Sequence, residues 1–223
     1  MKIGMVYAMK SEIESLLTQE NAQPLQTVAG VDFYQIRPDV IACTGGVSKV
    51  NAAMATQLLI SLYQPELVLN AGVAGCFENL PIGSIILAEG FIQHDVDTTA
   101  IGDPAGLVST VNRVEFPTSD LERARAAMDR TGIPYRTGLV ATGDWFGTDT
   151  PRAHWIAETF HPLLCDMEGG ADAQVCLRNN VPFMSIKSVS DCLFEHHDFF
   201  FNFPEAMRDL NRVVMSFVEQ LEA

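Results

Sequence analysis

The chain has 223 residues, 48% of them hydrophobic and 19% charged, enough for one large domain with a single core. Its 28 acids against 14 bases leave a formal net charge of −14 with no basic cluster. That field repels phosphate backbones and anionic membranes and so excludes nucleic acid as a partner, and no run approaches the roughly 18 uninterrupted apolar residues of a membrane span.

In chain order, residues 2–9 alternate apolar and small residues as a first strand, not a signal peptide, since a small-residue cleavage site is lacking. "SEIE" then opens a helix, with Ser11 and Glu14 at capping-box spacing. "DVIACTGG" (39–46) reads as a buried strand ended by glycines, and 48–63 as a helix with apolar positions 50, 54, 58, 59 and 62. "PELVLNAG" (65–72) is a further strand, and 83–97 supplies one or two more. Residues 102–118 read as a long loop and 119–130 as a helix whose acids precede its arginines, as the helix dipole favours. A strand at 137–142, a loop "TGDWFGTD", the strand-to-helix element "LLCDMEGGADAQVC" (163–176), a strand "VPFMSIKSVSD" and a helix near 204–221 complete the chain. Strands alternating with helices predict an α/β three-layer sandwich around a central mixed sheet, as one domain over 1–223. The five cysteines are odd in number, lack CxxC spacing and sit mostly in apolar surroundings, which suits reduced, buried thiols in a cytoplasmic protein.

Acids recur where strands end: Glu12 after the first, Glu168 after "LLCDM" and Asp191 after "FMSIKSVS". Each also suits a plain role at a helix N-terminus, next to free backbone N–H groups. If the three converge, a different chemistry becomes available. A buried carboxyl can serve as an acid while a hydrated neighbour stays ionised, the pairing that cleavage of a C–N or C–O bond at a sugar carbon requires. Trp145 and Phe146 after "TGD", and the "FFFNF" run at 199–203, offer aromatic faces for a planar base, with core packing as the alternative use. "GVAG" (72–75) and "GGVSKV" (45–50) are small-residue turns, but neither is a Walker A loop nor a GxGxxG fingerprint. His196–His197 and the His94/Asp95/Asp97 group lack a recognised ligand spacing, so no metal and no cofactor are expected.

Seven segments together resemble the nucleoside phosphorylase/nucleosidase superfamily, on the side of the methylthioadenosine/S-adenosylhomocysteine nucleosidases. They are "IGMVYAMKSEIE" (3–14), "GGVSKVNAA" (45–53), "LNAGVAG" (69–75), "HDVDTTAIG" (94–102), "TGDWF" (142–146), "DMEGGA" (166–171) and "SVSD" (188–191). Singly they are weak; in this order and spacing they are specific. The resemblance implies a nucleoside phosphorylase-like fold, a homodimer with the 5' pocket near the subunit interface, and hydrolysis of the N-glycosidic bond of an adenine thionucleoside. It further implies that Asp191 protonates adenine N7, that Glu12 activates the water and that Glu168 accepts hydrogen bonds from the ribose hydroxyls. Met167 would pack on the sugar, Phe146 would stack on the base, and backbone around Phe146 and Gly147 would read the base edge. Met9, Val47, Val73, Lys187 and Ser190 fall in or beside the matching segments as substrate-binding positions, and Phe201 or Phe203 would close the 5' side.

The chain departs from that pattern at several places. Lys187 stands where arginine is common, Val73 where Ser or Thr is usual, and Ser48 where glycine is usual. Thr98 and Ile101 replace an apolar and an aromatic residue of the 5' pocket, so futalosine or aminodeoxyfutalosine hydrolysis is an alternative, and a non-catalytic nucleoside binder a more distant one. Hydrolysis is expected over phosphorolysis because the first loop offers Glu12 and no arginine, and a carboxylate there repels phosphate.

Overall fold

The first strand, β1 (Ile3–Tyr7), is buried along its whole length and leads directly into α1 (Lys10–Gln19). Met9 is the N-cap, and the acid that reaches back is Glu12, which accepts the Met9 N–H at 2.9 Å. The Ser11/Glu14 spacing therefore does not mark the cap; the cap lies two residues earlier, at Met9. The computed structural model describes residues 1–195 and 199–222, apart from the side chains of 199–201 and 222.

A hairpin absent from the sequence reading follows: β2 (Gln23–Val28) and β3 (Val31–Arg37), antiparallel and joined through Ala29 and Gly30. Both turn residues have positive φ, as a tight hairpin of matching twist requires. β2 is exposed along most of its length and carries no buried face, which is why its polar sequence gives no strand signal. Then come β4 (Val40–Thr44), α2 (Lys49–Tyr63), β5 (Leu67–Cys76) and β6 (Ile85–Gln93). The 102–118 segment is mostly loop, as expected, but ends in a short strand, β7 (Glu115–Pro117), paired with β6. α3 (Leu121–Thr131) and β8 (Arg136–Thr142) are followed by α4 (Pro151–Phe160). The sequence reading lacks α4, although Thr150 caps it by accepting the Ala153 N–H and Pro151 occupies its first turn. β9 (Leu164–Asp166), α5 (Gly169–Asn179), β10 (Phe183–Cys192) and α6 (Phe199–Glu222) close the chain, and α6 begins ahead of Pro204 rather than at it.

The strands form one mixed sheet in the order β10-β6-β8-β9-β5-β1-β4-β3-β2. Because β10 also pairs with β5, five strands (β5, β10, β6, β8, β9) close on themselves, and the remaining path runs outward from β5 through β1. Ile13 and Leu16 of α1, Ala124, Ala127 and Met128 of α3, and Leu210, Val213, Val214 and Phe217 of α6 pack with Ile3, Met5 and Leu69 on one face. Ala55 and Leu59 of α2 and Ala173 and Cys176 of α5 pack with Val6, Val68 and Val189 on the other. The result is three layers, with the apolar strand residues dividing by their period-two alternation. All five cysteines are buried, and burial pushes their thiols up, Cys76 to about 12. Among the described residues no helix is long and apolar enough to cross a membrane.

Candidate active site

β1, β5 and β10 run parallel, so their carboxyl ends lie at one edge, where ligands of open α/β sheets bind. A cleft of about 440 Å³ opens there. Its walls carry Met9 and Glu12 from the start of α1, Val47 from the turn before α2, and Val73 from the end of β5. Trp145, Phe146 and Gly147 come from the loop after β8, Asp166, Met167 and Glu168 from the end of β9, and Ser190 and Asp191 from β10. The three strand-end acids thus converge on one cavity, although 179 positions separate Glu12 from Asp191. Among the described residues no lysine, arginine or histidine lines it.

Glu12 is only 2% exposed, and both of its oxygens are held: Oε2 accepts the Met9 N–H and Oε1 the Val73 N–H, each at 2.9 Å. Burial pushes its pKa up, while those two N–H groups and the charge of Lys187 pull it back. The Glu12 backbone is tied in turn: Asn211 of α6 donates to its carbonyl at 2.7 Å and accepts the Tyr7 hydroxyl at 3.0 Å. At Val73 the missing hydroxyl leaves the backbone N–H to do the holding.

Glu168 is the N-cap residue of α5 and is 8% exposed. Its Oε1 accepts the Ser48 N–H at 3.1 Å and its Oε2 the Met167 N–H at 3.3 Å. Burial, then the neighbouring Asp166 charge, raise its pKa to about 8 against the pull of Lys187. Asp166 is fixed by the Thr142 hydroxyl on Oδ1 and by the Gly169 N–H (3.0 Å) and Lys187 Nζ (2.9 Å) on Oδ2. Gly169 is required there, because a β-carbon would stand 2.3 Å from the Phe91 ring and 2.7 Å from Asp166 Oδ2.

Asp191 follows an irregularity in β10, where the pairing with β5 slips between Val189 and Asp191. The extra residue, Ser190, donates its hydroxyl to Asp191 Oδ1 at 2.6 Å and lies 3.2 Å from the Ala74 carbonyl, which fixes the carboxyl against the cleft wall. Phe146 is 53% exposed at the rim, and Gly147 packs against Leu193.

The loop carrying Phe146 is clasped to its surroundings. Lys49 donates its backbone N–H to Asp144 Oδ1 at 2.8 Å and its ammonium to Asp95 Oδ1 at 2.6 Å, while Asp95 Oδ2 accepts the Asp144 N–H at 2.9 Å. Beneath the loop, His94 meets the Trp145 ring edge-on, and burial lowers its pKa to about 4, so it is neutral. His94 and Asp95 are thus packing and clasping side chains, while Asp97 accepts the Thr99 N–H at 2.9 Å at the start of the 3-10 turn; among the described residues no group of three such side chains could hold a metal ion.

Several expected positions stand away from the cleft walls. Lys187 is 2% exposed inside β10 and spent on Asp166. Thr98 donates its hydroxyl to Asp103, and Ile101 is 81% exposed on a 3-10 turn. Phe203 is half-buried in the first turns of α6. The side chain of Phe201, like the His196–His197 pair, lies outside the described residues. Conversely, the reading from residues alone gave Asp166 no role, although an acid inside an apolar strand was the available signal. Asp172 was likewise passed over. It is fully buried and accepts the Thr56 hydroxyl at 2.6 Å and the Asn70 amide at 3.0 Å.

A partly closed mixed sheet that brings acids from its strand ends to one cleft defines a nucleoside phosphorylase-like α/β protein. The sequence matches the Phosphorylase superfamily over residues 2–219, and the chain belongs to that family. It is 38% identical over 198 residues to a 5'-methylthioadenosine/S-adenosylhomocysteine nucleosidase of Shewanella loihica, with 86% of each chain covered. A solved nucleosidase of the same kind from Colwellia psychrerythraea 34H, in complex with adenine, is similar with a TM-score of 0.89 at 32% identity, covering 99% of this chain and 96% of that one. The futalosine hydrolase of Helicobacter pylori strain 26695 is similar with a TM-score of 0.91 at 25% identity, covering 98% and 97%.

Proposed function

We propose that this protein hydrolyses the N-glycosidic bond of 5'-methylthioadenosine and S-adenosylhomocysteine, releasing adenine and the 5-thio-ribose product. The observation that carries the reading is the composition of the cleft: four buried carboxyls, an aromatic rim and, among the described residues, no cationic side chain. A phosphorylase must hold a phosphate dianion beside the sugar, and the described walls offer it no cationic partner.

In this reading adenine stacks on Phe146 with its edge on backbone around Phe146 and Gly147, while Met9, Val47, Val73 and Met167 enclose the sugar. Asp191, braced by Ser190, gives its proton to N7, so that the base leaves as a neutral molecule. Glu12 orients the attacking water: each carboxylate oxygen keeps a lone-pair site beyond its backbone N–H. Glu168, once ionised, takes the ribose hydroxyls on its remaining acceptor sites and stabilises the oxocarbenium-like centre, a contribution that grows as pH rises toward its raised pKa of about 8.

The open 5' end is where a homodimer contributes. Val47 at the rim and Val50 in the first turn of α2 are exposed apolar side chains that a second copy would cover. Thr98 and Ile101 shape the 5' pocket only across such a boundary, because neither lines this chain's own cleft. The substrates assign the protein to methionine salvage, and the buried thiols suit the cytoplasm.

The test offers methylthioadenosine, S-adenosylhomocysteine, adenosine and futalosine, each with and without phosphate, and measures free base. Phosphate-independent adenine release, fastest from the two thionucleosides, is expected. Phosphate-dependent release with a sugar 1-phosphate product would overturn the assignment, and faster turnover of futalosine would redirect it.

A further inference from the structure

We infer that Lys187 is a positioning residue that acts through Asp166: their ion pair fixes the turn carrying Glu168 and supplies the positive charge that lets this carboxylate accept the ribose hydroxyls. The inference rests on the nucleosidase reading of the site and adds to it a residue that touches no substrate.

Burying an ammonium ion costs several kcal/mol unless the geometry of its partners is good. Lys187 and Asp166 have side chains 2% and 1% exposed, and they meet at 2.9 Å. Asp166 Oδ2 also accepts the N–H of Gly169, the first residue of α5 after the cap Glu168. The ammonium, the Asp166 carboxylate and the start of α5 therefore form one chain of contacts, and the residue it positions is Glu168.

The charge balance has the same centre. β9 contributes Asp166, α1 Glu12, and α5 Asp172 with Glu168 at its cap, and each of these four carboxyls feels Lys187. β10 also brings Asp191 to the same cleft, whereas the Lys49 ammonium of α2 is engaged by Asp95. Burial works against the Lys187 charge, but Asp166, Glu168 and Glu12 outweigh it and hold its pKa above the ordinary lysine value. Asp166 and Lys187 thus press on Glu168 in opposite directions, the first raising and the second lowering its pKa.

That opposition yields a test that structural damage cannot imitate. The pH profile of kcat/KM is measured with 5'-methylthioadenosine and with its 2',3'-dideoxy analogue, which lacks the hydroxyls Glu168 would accept. The acid limb seen only with the riboside belongs to Glu168. Lys187→Met is expected to move that limb up by about one pH unit and to cut the preference for the riboside about tenfold. Asp166→Asn is expected to move the limb down, and the double variant, which buries no unpaired ion, to return it close to the starting position. If Lys187→Met does not fold, the downward shift in Asp166→Asn and its reversal in the double variant carry the test. Limbs that stay fixed, or that move the same way in both single variants, overturn the inference. A wild-type protein that releases no adenine from the riboside removes the nucleosidase reading itself, and the inference with it.

Discussion

Gly72 lies so close beneath Glu12 that a β-carbon on it would stand 2.6 Å from Oε1. The carboxylate is thus seated in a notch made by the absence of a side chain, with the Met9 and Val73 N–H groups as its rim. Gly72→Ala should push the carboxylate off both donors. Its backbone φ lies outside the positive range that disfavours alanine, so the fold should persist. Loss of a positioned acid–base group costs ~10²–10⁴-fold in kcat. Steady-state kinetics beside a thermal melt would show it, and kcat within twofold of wild type would mean that Glu12 is not held as described.

Glu12→Gln and Asp191→Asn should each lower turnover by ~10²–10⁴-fold yet differ in stability. Both oxygens of Glu12 accept backbone N–H groups, so the new amide must turn its NH₂ toward one of those donors. A buried donor left unsatisfied costs ~1–3 kcal/mol. Asp191 accepts a hydroxyl, which can rotate to become the acceptor, so its amide variant should stay close to wild-type stability. Denaturant titrations of the two variants make the comparison.

Ser48 sits at φ 92° and ψ 158°, a region that is essentially glycine's. This geometry aims its N–H at Glu168. Backbone strain of this kind costs ~1–3 kcal/mol, partly offset in the glycine variant by ~0.5–1 kcal/mol of added unfolded-state entropy. Ser48→Gly should therefore raise the thermal midpoint by a few degrees, and a lowered midpoint would show the strain to be absent.

Asp172 supplies a pH signature. Burial above all raises its pKa to about 7 from the ordinary carboxyl value of 3.8, although Thr56, Lys187 and Asn70 pull it down. A carboxyl with a raised folded-state pKa holds more protons folded than unfolded between those values, so its contribution to stability falls as pH rises through that window. Asp172→Asn removes this loss, since the amide can still accept from Asn70 and donate to Thr56. Thermal midpoints measured from pH 4 to pH 8 should show the variant gaining on wild type as pH rises. Parallel curves would argue against a titrating Asp172.

The sequence made the inner strands legible because they are buried on both faces, as "IGMVY" and "FMSIKSVSDC" are, and apolar runs bounded by glycine or acid mark such strands. β2 escaped because it faces solvent, and α4 because its apolar face buries only Ala153 and Ile156 within the described residues. The strand-end acids could be read as a group, but their convergence could not, since β10 reaches β5 by a pairing that no local pattern encodes. Lys187 shows the same limit: nothing near it in sequence reveals that its partner is Asp166, across the closed ring. Thr98 and Ile101 matched a family segment, yet their distance from this chain's cleft follows from the 3-10 turn at 99–101, which sequence spacing does not show.

The first turn of α2 offers two consecutive amides to two different regions, Ser48 to Glu168 and Lys49 to Asp144. A single residue, Ser48, therefore sets the span between Glu168 and the loop that carries Phe146, in the manner of a fixed gauge. Ligands whose heterocycle and furanose are spaced otherwise would meet a rigid mismatch, while variation beyond C5' would pass unmeasured. Selective inhibitors of this protein should accordingly keep the nucleoside core intact and place their chemical diversity at the thioalkyl end.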